Sequence, residues 1–186
     1  KQDPARLLAE DVVKAYDDEK VVPRDPKYGQ EVRDARRIEA ELTFATQMDP
    51  KNATAFLTLA RVQFSLGQDK LEAAVKSAET SYELAQAAGQ DKLATLVQAA
   101  RLYCYARFQL SSKAATDPEK FRTIAERGAK AAEELFRRDQ QATQASYNFG
   151  PAYWVARSYY EEGLAAQRNN RVDLARPALE KAKTAF

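Results

Sequence analysis

Met48-Asp49-Pro50-Lys51-Asn52-Ala53 decides the fold, because it stops one amphipathic segment and starts another within a few residues. Upstream, Val32, Ala35, Leu42 and Ala45 recur once per helical turn from about Tyr28 to Met48. Downstream, Phe56, Leu59, Ala60 and Phe64 do the same from Asn52 to Leu66, and Gly67 breaks the run. The same alternation of stripe and break covers the chain. A first helix is expected from Asp3 to Glu19, with Pro4 in its first turn and Val21-Val22-Pro23 ending it. Further helices are expected at 69–88, 91–110, 118–138, 151–168 and from Val172 onward, with Gly89 as a C-terminal cap and Asp117-Pro118 as a start signal. Breaks as short as Asn169-Asn170 make neighbouring helices antiparallel. The expectation is all-α: about eight helices in hairpins at 3–48, 52–88, 91–138 and 151–186, forming one domain over 1–186.

Composition supports helices. Of the 186 residues, six are Gly and seven Pro, too few for the turns of a β-rich fold. The chain is 45% hydrophobic and 30% charged, as in folded proteins. Its 29 basic and 27 acidic residues interleave, so no block reads as a nucleic-acid or membrane footprint. The mildly basic stretch 113–138 reads as a solvated helix face. No apolar run approaches the roughly 20 residues that span a bilayer.

The Met48–Ala53 junction resembles the boundary between tetratricopeptide repeats, in which an apolar residue, Asp, Pro, any residue and Asn close one unit and open the next. Leu42 and Ala45 before it, and Phe56, Leu59, Ala60 and Gly67 after it, sit where that family places its large, small, aromatic and turn residues. Tyr159, Gly163, Ala175, Leu179 and Ala182 match a second time, with Asn170 at the turn. The likeness is strict only over 42–67 and 159–182. The segments 91–110 and 118–138 are too long for a unit of about 34 residues, and Pro177 is an irregularity. The resemblance implies a short right-handed solenoid of stacked hairpins; a plain helical bundle is the rival architecture.

Catalytic readings fare poorly. Histidine is absent, which removes the commonest general base and metal ligand together. Cys104, the single cysteine, lies in a stripe with Leu93, Val97 and Ala100 and reads as a buried structural thiol. The pairs Asp17-Asp18, Glu133-Glu134 and Glu161-Glu162 are adjacent in helices, so their members point about 100° apart and share no face. No Gly-rich phosphate loop or Ca²⁺ loop is present. Neither a cofactor nor a metal is expected, and the chain reads as non-enzymatic.

In stacked helix pairs the first helix of each pair lines the concave side. That expectation selects Leu57, Arg61, Arg101, Tyr105, Tyr160 and Leu164 as partner-binding residues, with Thr54 beside them. The aromatic cluster Tyr147, Phe149, Tyr153, Trp154, Tyr159 and Tyr160 divides between packing and a ligand groove. The Lys/Asn/Arg set with which some repeats hold a chaperone's C-terminal carboxylate is missing: Thr54, Leu57, Thr58 and Arg61 stand in one stretch, and Arg157, Tyr160, Glu161 and Leu164 in the other. The expected role is an adaptor holding a protein or peptide within a bacterial-type assembly, without nucleic acid or membrane insertion. Self-association into a homo-oligomer, or an envelope- or transport-associated subunit binding a partner or small ligand, are the alternatives. Lys1 in place of Met points to a removed leader or upstream segment, with a cytoplasmic or periplasmic location left open. The apolar face at Phe186 gives the expectation of a longer chain.

Overall fold

The computed structural model describes residues 29–110, 118–138 and 151–185. The expected helix at 3–19, and Tyr147, Phe149 and Asp17-Asp18, lie outside them. All the regular structure among the described residues is helical, with no strand. The chain divides into two compact units, 1–112 and 113–186. The expected hairpin 91–138 therefore has one helix in each.

In the first unit, α1 (Gly29–Met48), α2 (Ala53–Ser65), α3 (Leu71–Ala88) and α4 (Leu93–Gln109) follow one another. Consecutive helices pack together, and α2 also packs on α4. The junction works through Asn52, whose side-chain oxygen accepts from the Ala55 N–H at 3.1 Å and caps α2. Two helices begin later than the periodicity predicts, α3 at Leu71 and α4 at Leu93. Each follows a single 3-10 turn, Gln68–Lys70 and Gly89–Lys92. Gly67 and Gly89 open those turns at φ 92° and 70°, a region costly for any residue with a Cβ. Each 3-10 turn lengthens the connection between the helices on either side of it.

Ala35, Ile38 and Leu42 of α1 close on Ala55, Leu59 and Val62 of α2 in one apolar cluster. A polar chain runs beside it. Ser77 Oγ donates to Gln63 Oε1 at 2.7 Å, Gln63 Nε2 to Glu39 Oε1 at 3.4 Å, and Lys70 Nζ reaches the same carboxylate oxygen at 2.9 Å. Ser81 donates to the Ala53 carbonyl at 2.7 Å, tying α3 to the first turn of α2. These bonds satisfy polar groups that helix packing takes from water.

In the second unit, α5 (Pro118–Arg138), α6 (Pro151–Arg168) and α7 (Val172–Ala185) are arranged so that α6 packs on both neighbours. Ala156, Ala175, Ala178 and Ala182 are buried, and small side chains let helix axes approach. Gly163 marks the tightest contact: a Cβ built there would stand 2.6 Å from Leu179 Cγ and 3.3 Å from the Ala175 carbonyl oxygen. The turn after α6 is a Schellman motif, with Arg171 N–H donating to Ala166 O at 2.9 Å and Asn170 N–H to Gln167 O at 3.0 Å.

Candidate functional site

α4 buries Leu96, Val97, Ala100, Tyr103 and Cys104 and leaves a stripe at Gln98, Arg101, Tyr105 and Phe108. Steps of three, four and three residues keep that stripe on one side of the helix. Tyr105 and Phe108 are each 44% exposed, and Arg101 is exposed. The stripe continues onto α2. The Arg61 guanidinium donates to Gln98 Oε1, and the Phe64 ring meets Tyr105 at 5.2 Å between centroids with the planes tilted by 48°. Residue numbers rise together in these two pairings, so α2 and α4 run in the same direction with α3 returning between them.

Leu57 requires a correction. It is 3% exposed, not part of an open surface. The cause is the environment of α2, which has α1, α3 and α4 as neighbours and buries residues around most of its circumference. Arg61 is half-buried and engaged with Gln98. Arg101 and Tyr105 stand in the exposed stripe. Phe64, which the periodicity assigns to the packing stripe, contributes to this face instead, and Phe108 joins it. The i, i+3 step from Tyr105 to Phe108 was the signal that would have found the latter.

On α6, Tyr160 is 37% exposed and Leu164 half-buried. The Arg157 guanidinium lies 5.3 Å from the Tyr160 ring centroid and pairs with Glu161. Trp154 is buried, edge-on to Phe121 at 6.3 Å and to Tyr153 at 5.1 Å, whereas Tyr153 is exposed. Tyr159 is held between two cations, Arg122 at 4.9 Å and Lys181 at 5.5 Å, and its hydroxyl donates to Glu126 at 3.3 Å. Packing therefore claims Trp154 and Tyr159, and the surface keeps Tyr153 and Tyr160.

The described carboxylate pairs diverge in space. Glu161 pairs with Arg157 within α6, while Glu162 meets Arg122 of α5 at 2.7 Å. Glu134 is engaged by Arg137 and Arg138 at 3.5 and 3.0 Å, and Glu133 is exposed. Cys104 is fully buried, and desolvation pushes its thiol far above the usual range, the opposite of what a nucleophile needs. An open cleft of about 170 Å³ lies among Arg122, Tyr159, Glu162, Leu174 and Lys181. Small-molecule sites usually hold roughly 300–1,000 Å³ and are mostly apolar. This cleft is smaller, and salt-bridged across. Among the described residues, no cluster of acidic or thiol side chains is placed to hold a metal, and no helix is long and apolar enough to cross a membrane.

The class these observations define is an all-α protein with an exposed aromatic-and-basic stripe on α4 that continues onto α2. Compared with protein-family models, curated proteins and solved structures, the chain gives no significant match.

Proposed function

We propose that this chain is a non-enzymatic scaffold of the tetratricopeptide type, which holds a protein or peptide segment on the face formed by α2 and α4. The observation that carries the reading is the exposed stripe Arg101, Tyr105 and Phe108, joined to Arg61 and Phe64 on the parallel helix. Aromatic and arginine side chains are the residue types that most often anchor interfaces, because they offer large area and directional hydrogen bonds at low entropic cost. They stand here on helices, whose backbone is already ordered, so little freedom is lost on docking. The helix order α2–α3–α4, with first and third parallel, supports a reading as stacked hairpins. Gly163 against Leu179 supplies the small-against-large contact that the family resemblance implies for the last hairpin.

The test is a peptide-display selection on the whole chain, with recovered peptides measured by fluorescence polarisation. Tyr105→Glu combined with Phe108→Glu is expected to abolish binding while the helical circular dichroism and unfolding midpoint stay near those of the parent. Undiminished binding to that variant would place the partner elsewhere and defeat the reading.

A further inference from the structure

The charges of the first unit are segregated by helix. α2 (ATAFLTLARVQFS) and α4 (LATLVQAARLYCYARFQ) contain no carboxylate; their only charged residues are Arg61, Arg101 and Arg107. Over residues 29–110 the acidic residues lie elsewhere: Glu31, Asp34, Glu39 and Glu41 on α1, Glu72, Glu79 and Glu83 on α3, and Asp49, Asp69 and Asp91 in the connections. Each acid of the two 3-10 turns is followed by a lysine, Asp69 by Lys70 and Asp91 by Lys92, so the turns add little net charge. A chain with 29 basic and 27 acidic residues is nearly neutral overall. The neutrality is not uniform: the aromatic face is arginine-only.

We infer that the α2–α4 face takes an acidic peptide segment, one that carries Asp or Glu and large apolar side chains together at the alternate positions it turns toward the stripe. The inference rests on the scaffold reading above and names the class of partner. Arg101 lies on the same side of α4 as Tyr105 and Phe108, and Arg61 and Phe64 of α2 meet that side through Gln98 and Tyr105. An extended segment laid along the stripe therefore sets carboxylates against guanidinium groups and apolar side chains against rings. Successive side chains of an extended strand point to opposite sides and repeat about every 6.8 Å. Helical steps of three and four residues advance roughly 4.5–6 Å. The two rises are close enough for alternate side chains of the segment to find successive stripe positions. Planar guanidinium groups favour carboxylates through paired N–H donors. Single-stranded nucleic acid also stacks on aromatic side chains, but it needs a basic groove tracking several phosphates. Three arginines on two helices fall short of one.

The experiment uses the whole chain and fluorescein-labelled probes: a peptide with Glu, Leu and Phe at every second position and Ser between them, its counterpart with Gln for Glu, its counterpart with Lys for Glu, and a short oligothymidylate. The acidic probe is expected to bind roughly tenfold tighter than the Gln probe at low salt, with the gap closing as salt rises. Arg101→Glu is expected to remove that gap, and Arg101→Gln to halve it on a logarithmic scale, with both variants keeping the parent's helical signal and unfolding midpoint. If the Gln probe binds as well as the acidic one, and Tyr105→Glu with Phe108→Glu abolishes both, the acidic class is wrong while the face remains a peptide site. If no peptide, displayed or synthetic, responds to the Tyr105 and Phe108 substitutions, both this inference and the scaffold reading fall. Tighter binding of the oligothymidylate or the Lys probe than of the acidic peptide overturns the inference in favour of those ligands.

Discussion

Asn170 holds a φ of 56°, alone among the described non-glycine residues in a positive value, and it does so where the chain leaves α6 for α7. Asparagine tolerates this left-handed conformation better than other residues with a Cβ, and a β-branched side chain tolerates it worst. Asn170→Gly is expected to stay within about 0.5 kcal/mol of the parent, whereas Asn170→Val is expected to lose about 1–2 kcal/mol. Urea unfolding of the two variants checks the pair; equal midpoints would mean that the turn does not use this conformation. Gly163 is the sharper case. Helix propensity alone makes Gly163→Ala a gain of about 1 kcal/mol. The new Cβ would meet Leu179 Cγ at 2.6 Å, however, and overpacking of that kind costs about 1–3 kcal/mol. The expected outcome is a net loss of about 1 kcal/mol. Adding Leu179→Ala should make the Gly163→Ala substitution favourable, so that a double-mutant cycle returns a clear coupling. Additivity in that cycle would show that the two residues are not in contact.

At the scale of the helix, α2 and α4 illustrate what periodicity conveys and what it omits. The apolar stripes of Leu42, Leu59, Ala60, Val97 and Cys104 were legible because a buried face must recur about every 3.6 residues. The element boundaries followed from Pro50, Asn52, Gly67 and Gly89, each of which has a local backbone reason. Leu57 was misread because a stripe gives the direction of one neighbour, not the number of neighbours. α2 has three, and only the tertiary arrangement supplies the other two. Phe64 failed in the opposite sense: an aromatic at a helical step looks like core until its exposed partner Tyr105 is placed beside it. This gives a contrast that stability measurements can read. Leu57→Ala is expected to cost about 2–5 kcal/mol, as for other buried large-to-small changes. Tyr105→Ala, on the open stripe, is expected to cost no more than about 1 kcal/mol. Comparable losses would erase the distinction between core and exposed stripe. Cys104 gives a third readout from the same helix. Its buried, neutral thiol is expected to react with a disulfide reagent only as fast as the first unit opens, accelerating sharply across the urea transition.

For the whole molecule, the question is whether the exposed face serves another copy of the chain. A large aromatic side chain buries about 150–250 Å² when fully covered, so Tyr105 and Phe108, each 44% exposed, offer roughly 200 Å² at most. A standard interface buries about 800 Å² on each partner. Two such patches pressed together would remove about 400 Å² from water, worth about 10 kcal/mol at roughly 25 cal/mol per Å². The loss of translational and rotational freedom alone costs roughly 4–15 kcal/mol. Symmetry makes the balance worse. A two-fold dimer sets the same surface against itself, and neither α2 nor α4 has a carboxylate to set against the other copy's Arg101. Like charges in a partly desolvated contact repel. An acidic segment meets the reverse situation: it gains the apolar contact and the charge pairing together. With the charge repulsion added, the chain is expected to remain monomeric by light scattering up to concentrations on the order of 100 μM. A dimer that appears in that range and disappears with Tyr105→Glu would assign the face to self-association.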